Sequence, residues 1–225
     1  MSTGLYTQLL DLACGAFLLA AVLVLWRREL AAIVRVFALQ GVALAAIGLL
    51  LGVHEKRWDL TAVGLAVGVL RAGVLPYLIR RALAALAADR GSEEVRETQP
   101  LVNIAASLLT AALLTLLAYA VARPLTDVNP TPATRALPVG LAVVLIGFFV
   151  LVTRRRALAQ VVGFLLLDNG ITASAFLATS GVPLIVELGV SFDVLLAVLV
   201  LQILTTRMRE AFGTTDIDDL RELHD

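Results

Sequence analysis

The sequence predicts an all-α, polytopic membrane helix bundle, and three observations carry that prediction. Of 225 residues, 60% are hydrophobic and only 16% charged, with a mean hydropathy of +0.92, against the roughly 45–50% apolar usage of soluble domains. Seven segments approach the roughly 20 apolar residues needed to cross a ~30 Å hydrocarbon layer: about 5–26, 30–53, 59–80, 100–122, 136–153, 157–179 and 182–206. They are too long and too little alternating for barrel strands, and lipid offers open backbone groups no partner, so each is expected to be a helix.

In chain order, the first segment follows an amino terminus without basic residues, MSTGLYTQLLDLACGAF. A cleaved signal peptide or twin-arginine signal is therefore not expected. The single cysteine, Cys14, has no second thiol with which to bridge and no metal-site spacing, and reads as a small packing residue. The second segment carries Arg35 about one turn inside, close enough to an end to snorkel. In the third, Gly64 and Gly68 form a small-xxx-small packing face, Arg71 lies near the middle, and Pro76 permits a kink beside that charge. The fifth is the shortest, with Pro138 expected in its first turn, where a missing N–H costs little.

The connections set the expected organisation. The polar run ADRGSEEVRETQ, Ala88 to Gln99, reads as a solvated loop. It divides the chain into three helices over 1–88, a cytoplasmic loop at 89–99, four helices over 100–206 and an acidic cytoplasmic tail at 207–225. A second irregular loop is expected around Asp127 to Arg135, with Pro130 and Pro132. One set of connections collects Arg27, Arg28, Arg80, Arg81, Arg90, Arg96, Arg154, Arg155, Arg156, Arg207, Arg209 and Arg221; the other has Lys56, Arg57, Arg123 and Arg135. Twelve cations against four put the amino terminus outside and the carboxyl terminus in the cytoplasm, which requires an odd number of crossings. The tail is read as solvated, with docking on a cytoplasmic partner as the alternative.

An internal likeness accompanies this pattern. The run RRELAAIVRVFALQGVALAAIGLLLG can be laid on RRRALAQVVGFLLLDNGITASAFLATSG with the arginine clusters in register and Gln40 near Asp168. Duplication as a parallel repeat and chance resemblance between arginine-flanked apolar helices both account for it.

Net charge is zero, so the global field suggests neither nucleic acid nor an acidic partner. Function is instead sought among polar groups at membrane depth, where an ionised side chain costs roughly 2.5–3.5 kcal/mol on insertion scales. Asp168 stands about eleven residues, or ~16 Å, from either end of its segment, and dry surroundings penalise its ionised form. It is the leading candidate for taking up and releasing protons; the alternative is a protonated acid bonded, with Asn169, to a neighbouring helix. In the seventh segment Glu187 lies a turn or two inside one end and Asp193 near the middle. Six residues apart, they point about 240° apart around a helix and cannot both face one neighbour squarely.

Arg71 does not deprotonate, so it cannot carry a proton. It can serve as a fixed positive charge beside a carboxylate or as a simple intramembrane ion pair. Gln40 and Asn103 are expected to hydrogen-bond between helices, and His54 to be solvated in a short external loop. No nucleophile triad, phosphate-binding loop, metal cluster or cofactor ligand set is apparent.

The run QVVGFLLLDNGI, followed by SGVPLIVELGVSFDVLLAVLVLQIL, resembles hydrogenase-4 component E, a membrane subunit of group 4 nickel-iron hydrogenase complexes, over most of the chain. More distantly, 136–206 is similar to the K subunit of respiratory complex I and the C subunit of multisubunit sodium/proton antiporters. The complex I relative is a three-helix protein with its amino terminus outside. The resemblance implies a place in a row of membrane subunits that couples redox chemistry to ion movement. It implies other membrane subunits as partners, antiporter-like ones included, and a cytoplasmic redox arm reached through the tail. Component E usually has a glutamate before Asn-Gly, where this chain has Asp168; the complex I glutamate falls on Leu165, one turn earlier on the same face. The last helix's glutamate falls on Glu187 or Asp193. Where the family commonly has an intramembrane lysine, this chain has Arg71, which puts lysine-like switching of protonation in doubt.

The expected function is thus a noncatalytic membrane subunit of a hydrogenase-4-like or complex I-like assembly in a prokaryotic inner membrane, with Asp168, Glu187, Asp193 and Arg71 along an ion path supported by Asn169 and Gln40. Two alternatives accompany it: a spacer that joins antiporter-like subunits without conducting, and a stand-alone secondary transporter.

Overall fold

A computed structural model describes residues 3–27, 29–90, 103–154 and 157–179. Among them the secondary structure is helical: α1 (Thr3–Trp26), α2 (Leu30–His54), α3 (Trp58–Gly68), a π-helical turn (Val69–Val74), α4 (Leu75–Arg90), α5 (Ile104–Val128), α6 (Pro132–Thr153) and α7 (Ala157–Thr179). Six spans in the described residues are long and apolar enough to cross a membrane; α3, the π turn and the start of α4 together make one of them. The chain is therefore a multi-pass membrane protein by length, composition and helicity. The seventh expected span, 182–206, lies outside the described residues, as does nearly all of the expected 89–99 loop.

Several ends differ from expectation for local reasons. α4 continues through Arg90, past the expected loop start at Ala88. α5 begins at Ile104 because Asn103 is its N-cap, accepting from the Ala105 N–H at 3.4 Å, rather than a partner for another helix. It runs on to Val128, so the expected loop from Asp127 to Arg135 shrinks to three residues, Asn129 to Thr131. There Thr131 and Thr134 form a reciprocal capping box and Pro132 takes the first helical position, each satisfying or removing a donor that a helix start leaves open. Pro138 consequently lies inside α6, not in its first turn. Between α2 and α3, Lys56 adopts φ 55°. The Arg57 N–H reaches back to the Gly52 carbonyl at 2.9 Å, the bond that closes a Schellman turn.

α1, α2, α7 and α6 form the heart of the bundle. α6 packs most extensively on α7, α2 reaches α1, α3 and α7, and α5 lies outside against α6 and α1. Close backbone approach makes this possible. A Cβ on Gly64 would fall 2.9 Å from the Gly48 carbonyl carbon, and one on Gly68 would fall 2.8 Å from the Ala45 methyl, so the glycine face of α3 is spent on packing against α2. Leucines at 109, 113, 116 and 117 leave α5 broadly exposed, as lipid-facing or subunit-facing helices are.

Two contacts tie the ends. Arg154, only 5% exposed, places Nη2 3.5 Å from the carbonyls of Val24 and Arg27 at the end of α1, where unsatisfied carbonyls favour a cation. At the other end His54 is not a solvated loop residue. It closes α2 and stacks on the buried Tyr6 of α1, centroids 3.7 Å apart and rings nearly parallel. Arg35 is exposed, on the outer surface of α2.

Candidate functional site

The site begins with an irregularity in the backbone. Pro76 has no N–H with which to close an α turn on Ala72. The chain takes up an extra residue over Val69–Val74, and the Leu75 N–H bonds to the Leu70 carbonyl, five residues back. π turns are rare, and they re-aim the side chains they contain. This one carries Arg71 inward until its side chain is 1% exposed. α2 leaves room at Gly41, whose missing Cβ would lie 2.7 Å from the Arg71 carbonyl carbon.

The guanidinium meets one face of α7. Arg71 Nη2 is 2.8 Å from Asp168 Oδ2 and donates to Thr172 Oγ1 at 2.8 Å, while Nη1 donates to Asn169 Oδ1 at 2.5 Å. Residues 168, 169 and 172 share an arc of about 100° on a helix, so a single fork can engage all three. The Asp168 side chain is 8% exposed. Beyond it a second arm runs away from the charge: Asn169 Nδ2 donates to Gln40 Oε1 at 2.9 Å, and Gln40 Nε2 lies 3.5 Å from the Phe17 carbonyl of α1. Each contributor lies near the middle of its helix, so the network crosses the bundle at mid-depth.

The arrangement has a direction. Arg71 carries only donors, which obliges Asn169 to present its oxygen and leaves its amide N–H groups for Gln40. That in turn aims the Gln40 N–H groups at Phe17. Amides do not titrate and arginine stays charged, so among the described residues of the cluster Asp168 is the one able to change charge. An ion pair this deep is costly to desolvate and holds because further hydrogen bonds complete its partners.

Arg71, Asp168, Asn169 and Gln40, all singled out in the sequence, are thus brought together. Glu187 and Asp193 lie outside the described residues. Leu165, where the complex I glutamate falls, is buried in the apolar core. Thr172 was not anticipated, although its position four residues after Asp168 is the spacing that stacks two side chains on one helix face. Pro76 marks an irregularity beside Arg71 without specifying a π turn, and the Phe17 carbonyl, a backbone group, is marked by no side chain. Among the described residues no three His, Cys, Asp or Glu side chains gather as a metal site would require.

Comparison with known proteins gives two kinds of relative. Hydrogenase-4 component E from Escherichia coli K12 and from Shigella flexneri is 33% identical over 115 residues, 51% of this chain and 53% of each relative. The likeness expected over most of the chain is therefore found over about half of it. No family model matches the chain, and no solved structure matches it significantly. A Mycobacterium tuberculosis protein named "Uncharacterized protein Rv0085" is 53% identical over 225 residues, covering 100% of both chains. On that identity, this chain, itself a multi-pass helical membrane protein that is similar to hydrogenase-4 component E over half its length, belongs to the family of Rv0085.

Proposed function

We propose that the protein is a noncatalytic membrane subunit of a hydrogenase-4-like or complex I-like assembly, in which Asp168 takes part in proton translocation and Arg71 is its fixed counter-charge. The observation that carries this reading is the Arg71–Asp168 pair, 2.8 Å apart and almost wholly buried between helices long enough to cross a membrane. A deep ionisable pair is costly, and such pairs mark ion paths more often than packing. The similarity to component E over half the chain supports membership of a multisubunit membrane complex. On this reading Glu187 and Asp193 extend the path and a seventh helix over 182–206 completes the bundle. The amino terminus faces outside and the carboxyl terminus the cytoplasm of a prokaryotic inner membrane. Antiporter-like subunits flank the chain, and the tail approaches a cytoplasmic redox arm.

Asp168→Asn tests the reading. Asn169 and Thr172 continue to accept from Arg71, so the complex assembles, while electron transfer runs with impaired proton pumping in inverted vesicles. A variant that assembles and pumps normally rules out an essential carrier at this position.

A second reading, the spacer, draws on the other arm of the network. The chain Asn169–Gln40–Phe17 ties α7, α2 and α1 with groups that do not titrate. If the cluster is purely structural, replacing Asp168 abolishes assembly on blue-native gels and leaves coupling per assembled complex unchanged.

A further inference from the structure

Resting on the proton-handling reading of Asp168, we infer that the Arg71 guanidinium is a tethered cation filling a three-oxygen site that would otherwise accept a monovalent metal ion, so that the ion handled here is the proton and not Na+.

The oxygens are a carboxylate, an amide carbonyl and a hydroxyl on one face of α7. Hard neutral and anionic oxygens of this kind are the usual ligands of hard cations. All three are turned toward Arg71, with Asp168 Oδ2 and Thr172 Oγ1 at 2.8 Å and Asn169 Oδ1 at 2.5 Å. A metal ion drawing on the same set would sit in contact with a charge that has nowhere to go. The side chain is 1% exposed, Gly41 closes the space behind its backbone, and arginine does not deprotonate to make way as a lysine can.

A proton has neither difficulty. A carboxylate offers about four lone-pair sites, and the ion pair uses Asp168 Oδ2. A proton needs only one of those lone pairs. When Asp168 is protonated, Asn169 and Thr172 still hold the guanidinium in place. The two neutral oxygens therefore keep the tethered cation in its seat through both charge states of Asp168, and the site does not empty for another ion to enter.

The test uses the full-length protein in nanodiscs, with 22Na+ binding by scintillation proximity and thermal stability in NaCl against choline chloride at equal ionic strength. The wild type is expected to show no saturable 22Na+ binding and no difference in midpoint between the two salts. Arg71→Ala, purified with millimolar guanidinium chloride to fill the vacated seat, is expected to be stabilised by guanidinium over choline. After guanidinium is removed it should bind 22Na+ in a manner lost on adding Asp168→Asn. Saturable 22Na+ binding by the wild type that Asp168→Asn abolishes overturns the inference, and this arm needs no folded Arg71 variant. A folded Arg71→Ala protein that takes up neither guanidinium nor Na+ also overturns it, because the oxygens would then not form a cation seat. Proton pumping by Asp168→Asn complexes tests the underlying reading separately. A wild-type complex that pumps protons through Asp168 yet binds Na+ there sinks only the present inference.

Discussion

Gly41 of α2 lies against the backbone of Arg71: a Cβ built on it would fall 2.7 Å from the Arg71 carbonyl carbon and 2.8 Å from both the Arg71 carbonyl oxygen and the Ala72 nitrogen. The nearest atoms are backbone, so no side chain can swing aside. Gly41→Ala should push the π turn away from α2 and draw the guanidinium off α7, destabilising the protein by about 1–3 kcal/mol as overpacking does. Thermal unfolding of the variant in detergent checks the magnitude. Accelerated hydrogen exchange confined to the π turn and the middle of α2 checks the location.

The Arg71–Asp168 pair should respond asymmetrically to loss of either partner. In Arg71→Met the stranded carboxyl can take a proton and become neutral, whereas in Asp168→Asn the arginine stays charged. Breaking a buried pair costs about 3–5 kcal/mol. Asp168→Asn should fall near 3 kcal/mol because Asn169 and Thr172 still accept from the guanidinium, and Arg71→Met should cost less. The double variant should be more stable than the sum of the two losses predicts, since no buried charge is left without a partner. A double-mutant cycle on unfolding midpoints reads this directly.

Along the amide arm, Asn169→Leu removes the acceptor of Arg71 Nη1 and the donor to Gln40 together. Stranded buried polar groups cost about 1–3 kcal/mol each. Gln40→Leu strands only the weaker link to Phe17 and the Asn169 amide, so its loss should be smaller. The combined variant should lose less than the sum, because Asn169 no longer has an unmet obligation toward Gln40. Additive losses would mean that the two amides do not act as one chain.

At the arginine-rich end, Arg154 covers the last carbonyls of α1 from the C-cap of α6. Arg154→Gln keeps a donor but removes the charge, and should cost about 1 kcal/mol, within the range for a partly buried cation at a helix C-terminus. Hydrogen exchange should rise in the final turn of α1 and remain unchanged near Asp168, which separates this anchoring contact from the central network.

How much of this was legible beforehand follows from what each signal measures. Hydropathy is summed along the chain, so the six described spans fall within a few residues of the segments read from sequence. The largest misplacement came at the end of α5, which runs on to Val128 where 122 was expected; at Pro132, capping by Thr131 and Thr134 starts α6 earlier than its apolar run does. Asp168 and Arg71 stood out singly because each is an expensive residue at membrane depth. That they meet each other was not written in either segment.

Composition and residue order alone determined a multi-pass helical protein, an end rich in arginine, and charges at membrane depth, Arg71 and Asp168 among them, in otherwise apolar segments. Tertiary structure decided which of those charges are partners, that Thr172 and the Phe17 carbonyl complete the network, and that a π turn accommodates Pro76. The reason is physical: in a helix apolar on nearly every side, no stripe marks the buried face. Facing is set by where glycines let backbones touch and where a donor finds an acceptor across the bundle, and both are relations between helices, not properties of any one of them.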